Sequence, residues 1–408
     1  MYTRVTLISF VLLFTLAIAI SAVGDTTTHW AVTTSIDKVF LVKYENGTVA
    51  SYQAASISGS FFTGVSSYNG YVFVADKISV NGTSTAVLRV GHVVDLFTDP
   101  AIEWVGEPIV LAQGNEVLRD PKTVTVDSNG GIYVIGGRYQ DNYNKLHSNY
   151  AYITSSNNWA GADVSVVNLQ TTSLADIDTL GTHAMIAHRD VYSIVADQTW
   201  VTRVDGSTVM STQNLDDQGY LPSAIAAGTN GYTYIANGAT EDDPAIGLEN
   251  IGSISIMDNE LMFRVGPAFQ LDTFRPTDIS FFTLNGVNYL GLVGDDEGFS
   301  QAIRLTLGED GLPLPLSGLY HRLDASTDHF CTVSADGSLM WATNPQTNTV
   351  TALDTLTWTS HTEALPGAAG YIAMLTSREV PEPASALALF TGIIGLAGYA
   401  RVRRTSRF

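Results

Sequence analysis

The sequence predicts an all-β protein, a β-propeller of seven blades whose last blade is closed by both chain ends. Three observations predict it. First, Ala, Glu, Lys and Leu do not gather at helical spacing; short runs of Val, Ile, Tyr, Thr and Phe are cut by Asn-Gly, Asp-Gly and Gly-Gly pairs instead. That pattern belongs to short antiparallel strands joined by tight turns. Second, the runs resemble one another, which is the mark of a repeat architecture. Third, their anchors near 61, 121, 182, 222, 276, 327 and 366 lie roughly 40–60 residues apart, enough for four short strands with their turns.

The units are clearest where proline leads. DPKTVTVDSNGGIYVIGG (120–137), LPSAIAAGTNGYTYIANG (221–238) and RPTDISFFTLNGVNYLGLVG (275–294) each give Pro, an apolar strand, an Asn/Gly turn and a second strand with Tyr. Proline suits the start of a strand, where its missing N–H costs no ladder bond. Copies without Pro are FFTGVSSYNGYVFVAD (61–76), THAMIAHRDVYSIVAD (182–197) and HFCTVSADGSLMWATN (329–344). LPGAAGYIAMLTS (365–377) has room for one strand only, and HWAVTTSIDKVFLVKYENGTVASY (29–52) has strands but no such anchor. Joining the two makes a complete blade and removes an open sheet edge. Six or eight blades, or a sandwich or solenoid, are the alternatives.

These units resemble the NHL and related six- and seven-bladed propellers, whose strands follow Pro-x-x-apolar with Asp or Asn plus Gly at the turn. The resemblance covers most of 61–377 and implies a fold, not an activity.

Both ends of the chain read as targeting segments. Residues 1–24 have an early cation, Arg4, an uncharged run from Val5 to Gly24 and a small-residue exit at Ala19, Ser21, Ala22 and Gly24. That is the layout of a cleaved signal peptide; a retained anchor is the alternative. At the other end, Ala384 to Ala400 is a run of 17 uncharged residues followed by Arg401, Arg403, Arg404 and Arg407. Such a run is just long enough for a membrane helix, with the cations held on the cytoplasmic side. Pro381 and Pro383 keep the preceding stretch extended. Val380-Pro381-Glu382-Pro383, the apolar run and the arginines together resemble a PEP-CTERM sorting signal over 380–408. The basic cluster departs from that pattern only in being interrupted by Val402, Thr405 and Ser406. The resemblance implies that Pro381, Glu382 and Pro383, with Arg401, Arg403 and Arg404 behind them, are read by an exosortase-type sorting enzyme. It implies a Gram-negative bacterial envelope or extracellular setting, and an association with exopolysaccharide and biofilm.

The whole chain carries 20 Lys+Arg against 40 Asp+Glu. Without Arg4, the four terminal arginines and Glu382, the body at 25–379 keeps 15 cations against 39 anions, a net charge of -24. Such a body repels nucleic acid and anionic lipid. It suits divalent cations, cationic polymers or plain solubility. The single cysteine, Cys331, excludes an intrachain disulfide and a Cys-rich metal cluster, and its alternating context places it in a buried strand.

Chemistry is harder to locate. There is no Gly-x-Ser-x-Gly elbow, Walker loop, His-Glu-x-x-His or dinucleotide fingerprint. His183 and His188, with Asp190 close by, fall on opposite strand faces, and His321 and His329 flank Asp324 and Asp328. Histidines from several blades lining the axis are a conceivable metal set. The best candidate is a pair of acidic loops, Glu241-Asp242-Asp243 and Asp295-Asp296-Glu297, which follow second strands at corresponding places and offer oxygen ligands suited to calcium. A solvated loop is the competing explanation. Asn46-Gly47-Thr48 and Asn81-Gly82-Thr83 match the glycosylation triplet but read better as hairpin turns. Two functions remain open. One is a non-catalytic surface propeller that binds or scaffolds. The other is an extracytoplasmic lyase, hydrolase or lactonase with a metal in the central channel.

Overall fold

A computed structural model describes residues 28–375 apart from short segments, the longest being 141–145, 191–197 and 324–329. Seven antiparallel units follow one another in it, each with four strands in series and two of them with a short fifth strand at the side. Blades 1 to 6 have inner strands Phe62–Tyr68, Pro121–Val126, Thr172–Leu180, Gly219–Ala227, Phe274–Leu284 and Phe330–Val333. Blade 7 takes its inner strand, Ile372–Met374, from the end of the described chain and its other three, His29–Thr34, Lys38–Glu45 and Thr48–Ser56, from the start. Ala31 pairs with Met374 and Thr33 with Ile372, so the closure expected from the sequence is made by backbone hydrogen bonds.

Three Asn-Gly pairs do what their chemistry dictates, while at Asn129-Gly130 and Asn230-Gly231 only the glycine has positive φ and Asn81-Gly82 lies outside the described residues. Asn46-Gly47, Asn69-Gly70 and Asn285-Gly286 all hold positive φ at both positions (52° and 76°, 49° and 72°, 52° and 79°). Two successive positive φ values define the hairpin turn whose twist matches the flanking strands.

One anchor is corrected. Blade 3 does not begin near 182: THAMIAHRD is its second strand, His183–Asp190, and the inner strand is Thr172–Leu180. That strand carries Asp176 and Asp178 and no proline, so it lacks the apolar signature by which the other units were recognised.

Seven hydrophobic clusters hold the ring, one at each seam between neighbouring blades. Tyr234 and Leu292, for example, pack between blades 4 and 5, and Trp341 with Phe40 between blades 6 and 7. Cys331 is buried in the seam of blades 5 and 6, as its sequence context suggested.

Strand alternation gives the ring two unlike faces. The turns from first to second strand and the connections from third to fourth share one face. They bond to each other there: Asn259 N donates to Gly231 O, Leu307 N to Asn288 O and Thr355 N to Ser338 O, all at 2.9 Å. We call this the turn face. The second-to-third connections and the links between blades lie opposite. Both ends of the described chain emerge on the turn face, where Leu375 N donates to Trp30 O at 3.0 Å and His29 Nε2 lies 3.2 Å from Ser338 Oγ. Among the described residues no helix is long and apolar enough to cross a membrane. The expected signal peptide (1–24) and sorting signal (380–408, with Pro381, Glu382, Pro383, Arg401, Arg403 and Arg404) lie outside those residues.

Candidate functional site: the axial cavity

The inner strands of all seven blades surround a cavity of about 310 Å³ on the ring axis. Its floor is set by a shared irregularity. In blades 1 to 5 the pairing of the inner with the second strand slips, between Phe62 and Gly64, Pro121 and Val124, Leu174 and Asp176, Pro222 and Ala224, and Pro276 and Asp278. A β-bulge of this kind re-aims the side chains that follow it. Three of the bulges lie beside the prolines that mark the repeat, where a ladder donor is missing in any case.

Just beyond the bulge, blades 3 and 5 place Asp176 and Asp278 among the cavity-lining residues, with Asp178 one turn of the pleat further on. Each carboxylate reaches the next blade. Asp176 Oδ2 accepts from Ile225 N at 3.1 Å, Asp178 Oδ2 from Ala227 N at 2.9 Å and Asp278 Oδ2 from Cys331 N at 2.7 Å. The second oxygen turns home: Asp178 Oδ1 accepts from Thr179 N and Asp278 Oδ1 from Ile279 N, both at 2.8 Å. These are stitches between blades. They satisfy N–H groups that would otherwise face the axis unpaired, an omission costing about 1–3 kcal/mol each.

Burial governs the electrostatics. It raises Asp178 to a pKa of about 7, against the two N–H bonds that favour its charged form. Asp176 is raised by burial too, opposed by the N–H groups of Ile225 and Ile177, the Thr123 side chain and the Lys122 charge. Asp278 is pushed well above the usual carboxylate range by burial and then by the neighbouring charge of Asp176. Burial likewise lifts the Cys331 thiol and the Tyr371 phenol at the same cavity, so both stay protonated near neutrality. The cavity can donate and accept hydrogen bonds, and Asp178 is poised to exchange a proton near neutral pH.

The residues singled out from sequence are placed elsewhere. Asp295 is buried at the rim of blade 5, where Arg275 Nη2 and Gly298 N donate to its two oxygens at 2.5 and 3.0 Å. Asp296 accepts from Thr273 Oγ1 at 2.5 Å and Gln301 Nε2 at 2.6 Å. Glu241, Asp242 and Asp243 end the second strand of blade 4, whose tip pairs with Gly247–Glu249; this puts both acidic stretches on the face opposite the turn face. Glu297 lies outside the described residues. His188 is buried between strands with Nε2 2.7 Å from Thr202 Oγ1, and burial lowers its pKa to about 3. His183 is half-buried with Nδ1 3.7 Å from Asp205 Oδ2, away from His188, as the spacing of the two histidines requires. His321 lies on the outer strand Leu319–Arg322, while His329, Asp324 and Asp328 are outside the described residues. Among the described residues no three His, Cys, Asp or Glu side chains are grouped to hold a metal ion.

Sequence reasoning passed over Asp176, Asp178 and Asp278. A signal was present: an aspartate two residues after Pro276, at the start of a strand of the repeat, and two more alternating along LADID.

No family model matches the chain, and no curated protein does. Solved structures share the fold. A protein from Lactobacillus plantarum is 11% identical with a TM-score of 0.56, covering 86% of this chain and 100% of its own. A candidate 6-phosphogluconolactonase from Bacteroides fragilis is 9% identical at 0.55, covering 86% and 99%. A functionally unknown protein from Desulfotomaculum acetoxidans is 11% identical at 0.55, covering 85% and 99%. The chain is thus a seven-bladed β-propeller, and likeness at such identity extends to the fold alone.

Proposed function

We propose that this is an exported, surface-sorted, non-catalytic propeller that binds or scaffolds in the cell envelope or extracellular matrix, with exopolysaccharide as its candidate partner. The observation that carries the non-catalytic part is the use of the axial carboxylates. Asp176, Asp178 and Asp278 each spend an oxygen on a backbone N–H of the next blade, so the groups best placed for chemistry hold the ring together. The export and sorting part draws on the Pro-Glu-Pro tail and the basic terminus of the sequence. It is tested in a host that carries an exosortase. Deleting 380–408 should send a folded body to the medium, whereas a body retained in the envelope after deletion refutes tail-dependent retention.

The second reading, an extracytoplasmic enzyme, is favoured by one observation: a carboxyl group with a pKa of about 7 in an axial cavity of about 310 Å³. The lactonase designation of a structural neighbour suggests the substrate class to try. Hydrolysis of sugar lactones that disappears in a folded Asp178→Asn variant would establish this reading over the first.

A further inference from the structure

The described loops of the turn face expose apolar side chains in three successive blades. Leu261 and Phe263 of blade 4 are 68% and 63% exposed, Leu314 of blade 5 is 43% and Leu356 of blade 6 is 65%. Two of these loops are the same device. In blade 4, Asp258 Oδ1 accepts from Glu260 N and Leu261 N; Met262 N donates back to Asp258 O, and Met262 takes φ 55° with its side chain buried. In blade 6, Asp354 Oδ1 accepts from Leu356 N and Thr357 N; Trp358 N donates back to Asp354 O, and Trp358 takes φ 59°, again buried. In each turn the Asp cap holds the leucine N–H and the left-handed residue plugs the core, which leaves Leu261 (third after Asp258) and Leu356 (second after Asp354) pointing outward. These loops present apolar groups side by side in neighbouring blades, whereas Ile36, Phe61 and Phe299, exposed on the opposite face, make no run over three blades; an adjoining set marks an interaction surface.

What covers them follows from the chain path. The described chain ends at Leu375 on this same face, and the apolar run begins at Ala384. The eight residues 376–383 span at most about 28 Å when fully extended. A span inserted at Ala384 therefore keeps the turn face within reach of the bilayer. Glu260, Glu309 and Asp310 on the same loops disfavour anionic headgroups, which leaves a surface of low net charge.

We propose that the turn face of blades 4 to 6 rests on the bilayer that holds the chain's own C-terminal apolar segment, with Leu261, Phe263, Leu314 and Leu356 entering its interfacial layer. The proposal rests on the membrane reading of the tail given above. The full chain is reconstituted in phosphatidylcholine vesicles as three single-label variants, Leu261→Cys, Leu356→Cys and Phe61→Cys. Phe61 is 50% exposed in a link between blades, on the opposite face, and Cys331 is buried away from the reagent. Each new thiol carries a fluorophore that nitroxide-labelled lipid quenches. The expected result is flotation of all three variants with the vesicles and several-fold stronger quenching at 261 and 356 than at 61. Flotation with equal quenching overturns the docking and leaves the tail reading standing. Protein that does not float overturns both. Labels shielded from water in proportion to protein concentration, without lipid quenching, overturn the docking in favour of a second copy of this chain.

Discussion

Gly64 and Asp278 occupy the same place in their blades, one residue past the inner-strand bulge, yet they make opposite kinds of seam. At Gly64 the next blade comes in by its backbone: a Cβ there would lie 2.4 Å from Lys122 O. At Asp278 the next blade stands off by the length of a side chain, and the carboxylate bridges the gap to Cys331 N at 2.7 Å. The rest of the ring uses further variants. Lys122 Nζ donates to Leu174 O at 2.8 Å between blades 2 and 3, Ser223 Oγ to Pro276 O at 2.8 Å between blades 4 and 5, and Thr343 Oγ1 to Gly370 O at 2.6 Å between blades 6 and 7. The hydrophobic clusters set the common geometry of the ring. Near the axis, where inner strands converge, each seam solves its own hydrogen-bonding problem.

Exchanging the two solutions should break the ring hardest. Gly64→Asp forces a carboxylate against a backbone carbonyl that cannot retreat without moving blade 2, and more than about 3 kcal/mol of stability should be lost. Thermal melting and proteolysis of the variant read the effect; a Gly64→Asp protein as stable as the parent would show that the seam is not tight. Next comes Asp278→Ala, which leaves Cys331 N and Ile279 N without acceptors and should cost about 1–3 kcal/mol in denaturant unfolding. A loss below the error of that measurement would mean that water serves the two N–H groups equally well.

The contrast also explains what the sequence revealed. Seams built from apolar residues and turns built from Asn-Gly are local, so Pro121, Pro222, Pro276 and the pairs at 46–47, 69–70 and 285–286 announced them. The closure of blade 7 was legible because a lone strand and an unanchored trio of strands were left over at opposite ends of the chain. The axial aspartates were not legible as stitches. The partner of Asp278 is Cys331, 53 residues away, and it comes within reach only when two bulged strands face each other across the axis. The same charges hid the inner strand of blade 3, because Asp176 and Asp178 break the apolar run that identifies a buried strand. The apolar tips of the turn-face loops were hidden for a related reason: Leu261 and Leu356 look like core residues until Met262 and Trp358, in the same loops, are seen to take that role.

The smallest effect is the most selective. Asp178 has a folded pKa of about 7, above the roughly 3.9 of an unfolded aspartate. Its contribution is therefore fully present below pH ~3.9 and is lost as pH rises towards 7, because the unfolded chain gives up its proton first. His188 works in the other direction: with a folded pKa of about 3, it makes stability rise with pH up to about 6.5, the value of an unfolded histidine. The two slopes oppose each other below pH ~6.5, and above it only the carboxylate slope remains. Between pH ~6.5 and about 7 the melting temperature of the parent should fall as the Asp178 carboxyl gives up its proton. In Asp178→Asn that decline should be shallower. Identical profiles for parent and variant would mean that the seam of blades 3 and 4 is open to water, and that Asp178 titrates as an ordinary surface acid.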